Sequence, residues 1–165
     1  MVYRIKQFYW GATAKLEFHD IIYINMHLDD EELEIFSKLS ISEQKHSIRV
    51  AYDIEKLYEE GKYNLTKNEF IKVALLHDIG KIDYKVNIIK KGIIVILDKI
   101  TNSSIKRFQN FKSVYSHYNH PYLGYCILKD YNKYSEEMLY LIKNHHNENI
   151  INKELNLLIY SDNLN

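Results

Sequence analysis

The sequence predicts a single all-α domain, and two observations carry that expectation. Strong turn formers are sparse, with 5 Gly and 1 Pro in 165 residues, and no linker, low-complexity tract or internal repeat divides the chain. Helix starts, by contrast, are written out three times as a capping residue followed three places later by Glu: Asp29 with Glu32, Ser40 with Glu43, and Thr66 with Glu69. In that pairing the cap side chain accepts from the third helical amide and the Glu reaches back to the cap amide, so two otherwise unpaired donors are satisfied.

These starts predict helices near residues 30–39, 41–60 and 67–79. Gly61 and Gly80 fall where the second and third should stop, since Gly tolerates the left-handed cap conformation. From Val86 to Ile100 a β-branched run could form a strand, but Ile89, Ile93, Ile96 and Ile100 keep helical spacing and favour a helix. Pro121 suits the first turn of the next helix, to about residue 131, because an amide there has no partner to lose. Ser135 ahead of Glu136 and Glu137 opens another, ending around His146, and a last helix starts near Asn152. Residues 1–28 and 101–118 are the least patterned. The chemistry-bearing motifs lie at about 40–163, behind an N-terminal helical extension, 1–39, of the same domain.

Composition bounds the function. With 46% hydrophobic residues, a chain of this length buries roughly two-thirds of its unfolded surface and needs no disulfide staple. The single Cys126 forbids an internal bridge and fits a reducing compartment. Lys plus Arg and Asp plus Glu both count 22, so no global field draws in nucleic acid or an acidic membrane. The first twenty residues lack an apolar signal region, and the most apolar stretch, GIIVILDKI, is far short of the roughly 20 residues that span a bilayer. The expectation is a cytoplasmic protein with no membrane partner.

The apolar stripes point to chemistry. Val50, Ile54, Leu57 and Tyr58 form one face, with His46 a turn before Val50; Phe70, Val73 and Ala74 lead to His77, with Asp78 beside it. Met138, Leu141 and Ile142 lead to His145, and Leu155, Leu158 and Ile159 lead to Asp162. Any one of these polar residues alone reads as a core histidine or capping carboxylate satisfied by backbone. Four directed inward need a shared partner, because each costs several kcal/mol to bury unpaired. A divalent metal fits, and imidazole with carboxylate suits Mn, Fe, Co, Ni or Zn better than Mg or Ca.

The segments KHSIRVA around His46, LLHDIGK around His77 and Asp78, HPYLGY around His120, IKNHHN around His145 and His146, and YSDN around Asp162 resemble the ordered signature of the HD-domain metal-dependent phosphohydrolases, in the HDIG subgroup. The resemblance implies the all-α helical bundle of that superfamily, with His46, His77, Asp78 and Asp162 on a first ion. It implies His120 and His145 on a second, Asp78 bridging, and one or two ions in all, Mn, Fe, Co or Ni ahead of Zn or Mg. His146 is then a ligand, a donor behind the ligands, or exposed. Lys81 and Arg49 resemble positions where the family places phosphate-binding cations, although Lys81 could instead be only solvated and Arg49 only paired with Asp53. Asp78 and Lys81 become the catalytic pair. The implied substrate is a small phosphorylated, nucleotide-like molecule; nucleic acid is not the expected partner.

His117 and His120 compete for one role. His120 is preferred because Pro121 follows and Gly124 stands four residues on, which resembles the family's H-x-x-x-G pattern and leaves His117 as a loop residue. His19 and His27 read as surface and Cys126 as core. Ser42 and the NENII after His146 depart from the three-metal HD-GYP enzymes, and Ile79, Gly80 and Lys81 after HD depart from the guanosine tetraphosphate hydrolases. The layout is similar to the HD-type diadenosine tetraphosphate hydrolases in the metal ligands. The alternative is a non-catalytic HD module that binds a nucleotide-like ligand or a protein.

Overall fold

A computed structural model describes residues 14–82 and 112–165, and among these there are seven α-helices and no strand. Helix α1 is Phe18–His27, α2 Asp30–Ser37, α3 Ile41–Leu57, α4 Lys67–Leu76, α5 Lys112–Lys129, α6 Glu136–Asn144 and α7 Lys153–Leu164. The predicted all-α class therefore holds. None of the described helices is long and apolar enough to cross a membrane. The expected Val86–Ile100 helix lies outside the described residues.

The three helix starts form as the sequence directs. Glu32 N donates to Asp29 Oδ1 at 3.0 Å and Asp29 N to Glu32 Oε2 at 2.9 Å. Ser40 and Glu43 make the same reciprocal pair, as do Thr66 and Glu69. Ser135 and Asn152 cap α6 and α7 by accepting from Met138 N and Leu155 N. A further start, at α1, uses a pair the sequence reading passed over: Glu17 N donates to Asp20 Oδ2 at 2.8 Å.

The helix ends differ from expectation. Helix α3 gives way at Leu57 to a 3₁₀ turn, Tyr58–Glu60. Helix α4 stops at Leu76, so His77 and Asp78 form a turn before a second 3₁₀ segment, Ile79–Lys81. Neither Gly61 nor Gly80 takes a positive φ; Gly61 is extended, at φ −137° and ψ 175°. Gly80 is required for another reason. A β-carbon there would collide with the His120 carbonyl oxygen and lie 2.6 Å from Gly124 N. Gly80→Ala is accordingly expected to destabilise the fold by about 1–3 kcal/mol through overpacking against backbone, and Gly124→Ala, whose β-carbon meets Gly80 N at 3.3 Å, by less. Denaturant midpoints unchanged in both variants would contradict this contact.

Helix α5 corrects three further expectations. Pro121 does not open a helix; it sits inside α5, where packing against the Ile79–Lys81 turn and against α6 outweighs local preference. His117 belongs to the same helix, half-buried, and is not a loop residue. Cys126 is half-buried rather than core.

The core gathers the predicted stripes. Val50, Ile54, Phe70, Val73, Ala74, Met138, Leu141, Ile142, Leu155 and Leu158 are all buried, while Leu57, Tyr58 and Ile159 are only partly so. Helix α3 packs on α4 and α7, α4 also on α6, and α6 on α5 and α7. These contacts bring the ends of four stripes to one place.

Candidate metal centre

Seven side chains meet where the stripes converge. From α3 comes His46, from the turn after α4 His77 and Asp78, from α5 His120, from the end of α6 His145 and His146, and from α7 Asp162. Three sets of donor atoms each lie within 4.8 Å of one another: His46 with His77 and Asp162; His77 with Asp78 and His145; and His120 with His145 and His146. His77, Asp78, His120 and His145 are buried; the side chain of His146 is 51% exposed, so it stands at the open edge. The structure thus brings together every residue expected to ligate.

The carboxylates lie between the rings. Asp162 Oδ1 is 2.9 Å from His46 Nε2 and 3.6 Å from His77 Nε2. Asp78 Oδ2 is 3.7 Å from His77 Nε2, and its Oδ1 is 3.3 Å from His120 Nε2 and 3.9 Å from His145 Nε2. Lys81 Nζ lies 2.5 Å from the Asp78 carboxylate and is mostly covered. Arg49 is half-buried one turn beyond His46 on α3, and Asp53 accepts from Asn165 Nδ2 at 2.7 Å. His19 is exposed beside Glu17 and Asp20, and His27 bonds Asn68 at the surface.

Backbone carbonyls, which sequence reasoning missed, set the tautomers. His77 Nδ1 is 2.7 Å from Ala74 O, His145 Nδ1 2.7 Å from Ile142 O, and His120 Nδ1 3.0 Å from both Ser116 O and His117 O. A carbonyl only accepts, so in each neutral ring the proton sits on Nδ1 and the lone pair on Nε2. Those lone pairs point at one another. His120 Nε2 is 3.2 Å from His145 Nε2 and 3.0 Å from His146 Nε2, and buried His77 Nε2 has no hydrogen-bond partner. The opposed lone pairs of His120 and His145 repel at 3.2 Å unless a cation lies between them, and a divalent metal is the cation for which nitrogen and carboxylate donors are suited. Every helical residue has carbonyls three and four places before it, so nothing in the residue types marks these.

Electrostatics divide the cluster. Burial, reinforced by Lys81 for His120 and by His77 for His145, pushes both imidazoles down to about 3. Burial lowers His146 as well, with His145 adding to it, and lowers His46 despite its bond to Asp162. Burial also opposes charge on His77, but Asp78 and Asp162 together outweigh it and its pKa is raised. Asp78 and Asp162 resist desolvation and stay well below the usual carboxylate range, Asp78 through Lys81 and His77, Asp162 through His46 and His77. The Asp78 charge in turn outweighs the burial of Lys81 and raises its pKa.

A pH dependence follows for the metal-free chain. An imidazole held near 3 when folded but near its ordinary value of about 6.5 when unfolded binds its proton only on unfolding, so stability falls as pH drops through that window. His77 works in the opposite sense but is outnumbered by His46, His120, His145 and His146. The melting temperature is expected to fall from about pH 7 to about pH 5; a constant or rising value, measured by calorimetry with chelator present, would contradict the assignment of neutral buried rings.

The family model described as HD domain matches residues 44–164, well over half of the chain and all seven residues of the cluster. No curated protein and no solved structure matches the chain.

Proposed function

The chain belongs to the HD-domain family, and on that premise we propose that it is a metal-dependent phosphohydrolase of the HDIG type acting on a small nucleotide-like phosphoester or phosphoanhydride. The observation that supports this most is the pair of opposed Nε2 lone pairs of His120 and His145 at 3.2 Å, next to two ionised carboxylates. His46, His77 and Asp162 form one donor group, and His120, His145 and His146 the other. Asp78 lies between them and serves both. When bound there, a divalent ion supplies Lewis acidity, making water a competent nucleophile near neutral pH and drawing charge from phosphoryl oxygens.

The protein's own groups do the rest. Asp78, kept ionised by Lys81 and the histidines, presents two oxygens to the two donor groups. Backbone carbonyls hold the imidazoles of His77, His120 and His145 with Nε2 inward, so little reorganisation is needed. Lys81 carries a fixed positive charge beside Asp78 and meets phosphoryl oxygens; Arg49 is a second cation for the same phosphate. His146, at the open edge, is the ligand nearest to entering substrate.

The test is a panel of nucleotides and dinucleoside polyphosphates with Mn, Fe, Co, Ni, Zn and Mg each supplied in turn. Turnover above the background of an Asp78→Ala variant is expected with at least one metal. Absence of turnover throughout, with ligand binding still detectable by calorimetry, would replace the enzyme with a binding module. Lys81→Ala is expected to leave metal content unchanged and slow turnover by about 10- to 1,000-fold, the range for losing one group that stabilises transition-state charge. Equal rates for variant and wild type would remove Lys81 from the mechanism.

A further inference from the structure

The three histidines anchored through Nδ1 each reach a carbonyl that has no helical amide to accept from, and those carbonyls come to that condition in two ways. Helix α4 ends at Leu76 and α6 at Asn144, so Ala74 O and Ile142 O fall in last turns, where carbonyls have no helical amide to accept from. His77 and His145 take them. His120 has no such end available, because α5 continues to Lys129. There the amide of residue 121 would ordinarily donate to His117 O. Residue 121 is Pro, which has no amide hydrogen, and His120 Nδ1 lies 3.0 Å from that same oxygen. The other acceptor, Ser116 O, also at 3.0 Å, is the one that helix geometry assigns to the His120 amide.

We propose that Pro121 is a positioning residue for His120: by bringing no N–H to the His117 carbonyl it gives that acceptor to the imidazole, which fixes the proton on Nδ1 and turns the Nε2 lone pair toward Asp78, His145 and His146. The role of the lone pair rests on the reading of His120 as a ligand. This also accounts for a proline in a helix interior, where it otherwise only disfavours the helix.

The test compares wild type with Pro121→Ala and with a chain carrying lactic acid at position 121, which has the alanine side chain and no N–H. Long-range proton–nitrogen correlation spectra of the metal-free proteins read the His120 tautomer directly, and circular dichroism confirms the helices. Wild type is expected to hold His120 wholly as the Nδ1–H form. Pro121→Ala is expected to show a measurable Nε2–H fraction and about tenfold weaker affinity for the second equivalent of Co(II), the scale for losing an anchor behind a ligand. Its thermal stability should be equal or higher, and the lactic acid chain should behave as wild type. Loss of stability with an unchanged tautomer would reduce Pro121 to a packing residue and overturn the proposal. So would an ester chain that fails to restore the tautomer, because the ring rather than the missing N–H would then matter. A wild-type chain that takes up no Co(II) would sink the metal reading alone; the spectra judge Pro121 by themselves.

Discussion

Replacing Asp78 with Ala is expected to lower hydrolysis by at least about 1,000-fold, to the solution background. Asp78 is 1% exposed and lies within 4 Å of four histidine nitrogens and the Lys81 ammonium. Truncation therefore removes the oxygen donor common to both groups and leaves the Lys81 charge without its counterion. Asp78→Asn separates charge from shape: it keeps the volume and one oxygen, so the fold should survive while turnover is lost. Steady-state rates for either variant within tenfold of wild type would show that the carboxylate is not where the chemistry happens.

Withdrawal of metal is expected to have the second large effect, on stability rather than rate. The chain folds His120 and His145 with their lone pairs opposed, an arrangement that a bound ion rewards and its absence penalises. An ion at about 100 times its dissociation constant stabilises the folded state by about 2.7 kcal/mol, which for a chain of this size raises the melting temperature by about 5–10 °C. Chelator should reverse the rise. A melting temperature indifferent to both Mn or Co and chelator would mean that the cluster binds no ion selectively in the folded state.

The legible and illegible parts of this molecule divide along the range of the interactions involved. Capping pairs such as Ser40 with Glu43 act across three residues and can be read directly; the α1 start escaped only because Glu17 and Asp20 reverse the usual residue types. Helix ends are set from a distance. Gly80 faces the His120 backbone, 40 residues away in sequence, so a local cap rule assigned it the wrong conformation. Pro121 reads locally as a helix start, but the packing of α5 on the distant Ile79–Lys81 turn and on α6 carries the helix through it. The inward residues His46, His77, His145 and Asp162 were legible because each continues an apolar stripe, whereas His120 and His146 lie outside such stripes and entered through motif resemblance. The accepting carbonyls of Ala74, Ser116, His117 and Ile142 carry no residue-type signal at all.

The claim on which all of this depends is that the buried histidines and aspartates hold metal, and elemental analysis of the chain purified anaerobically without chelator addresses it most directly. At least one ion of Mn, Fe, Co, Ni or Zn per chain is expected, rising towards two on reconstitution. Less than about a tenth of an ion per chain, with no uptake when each metal is supplied to the folded protein, would contradict it.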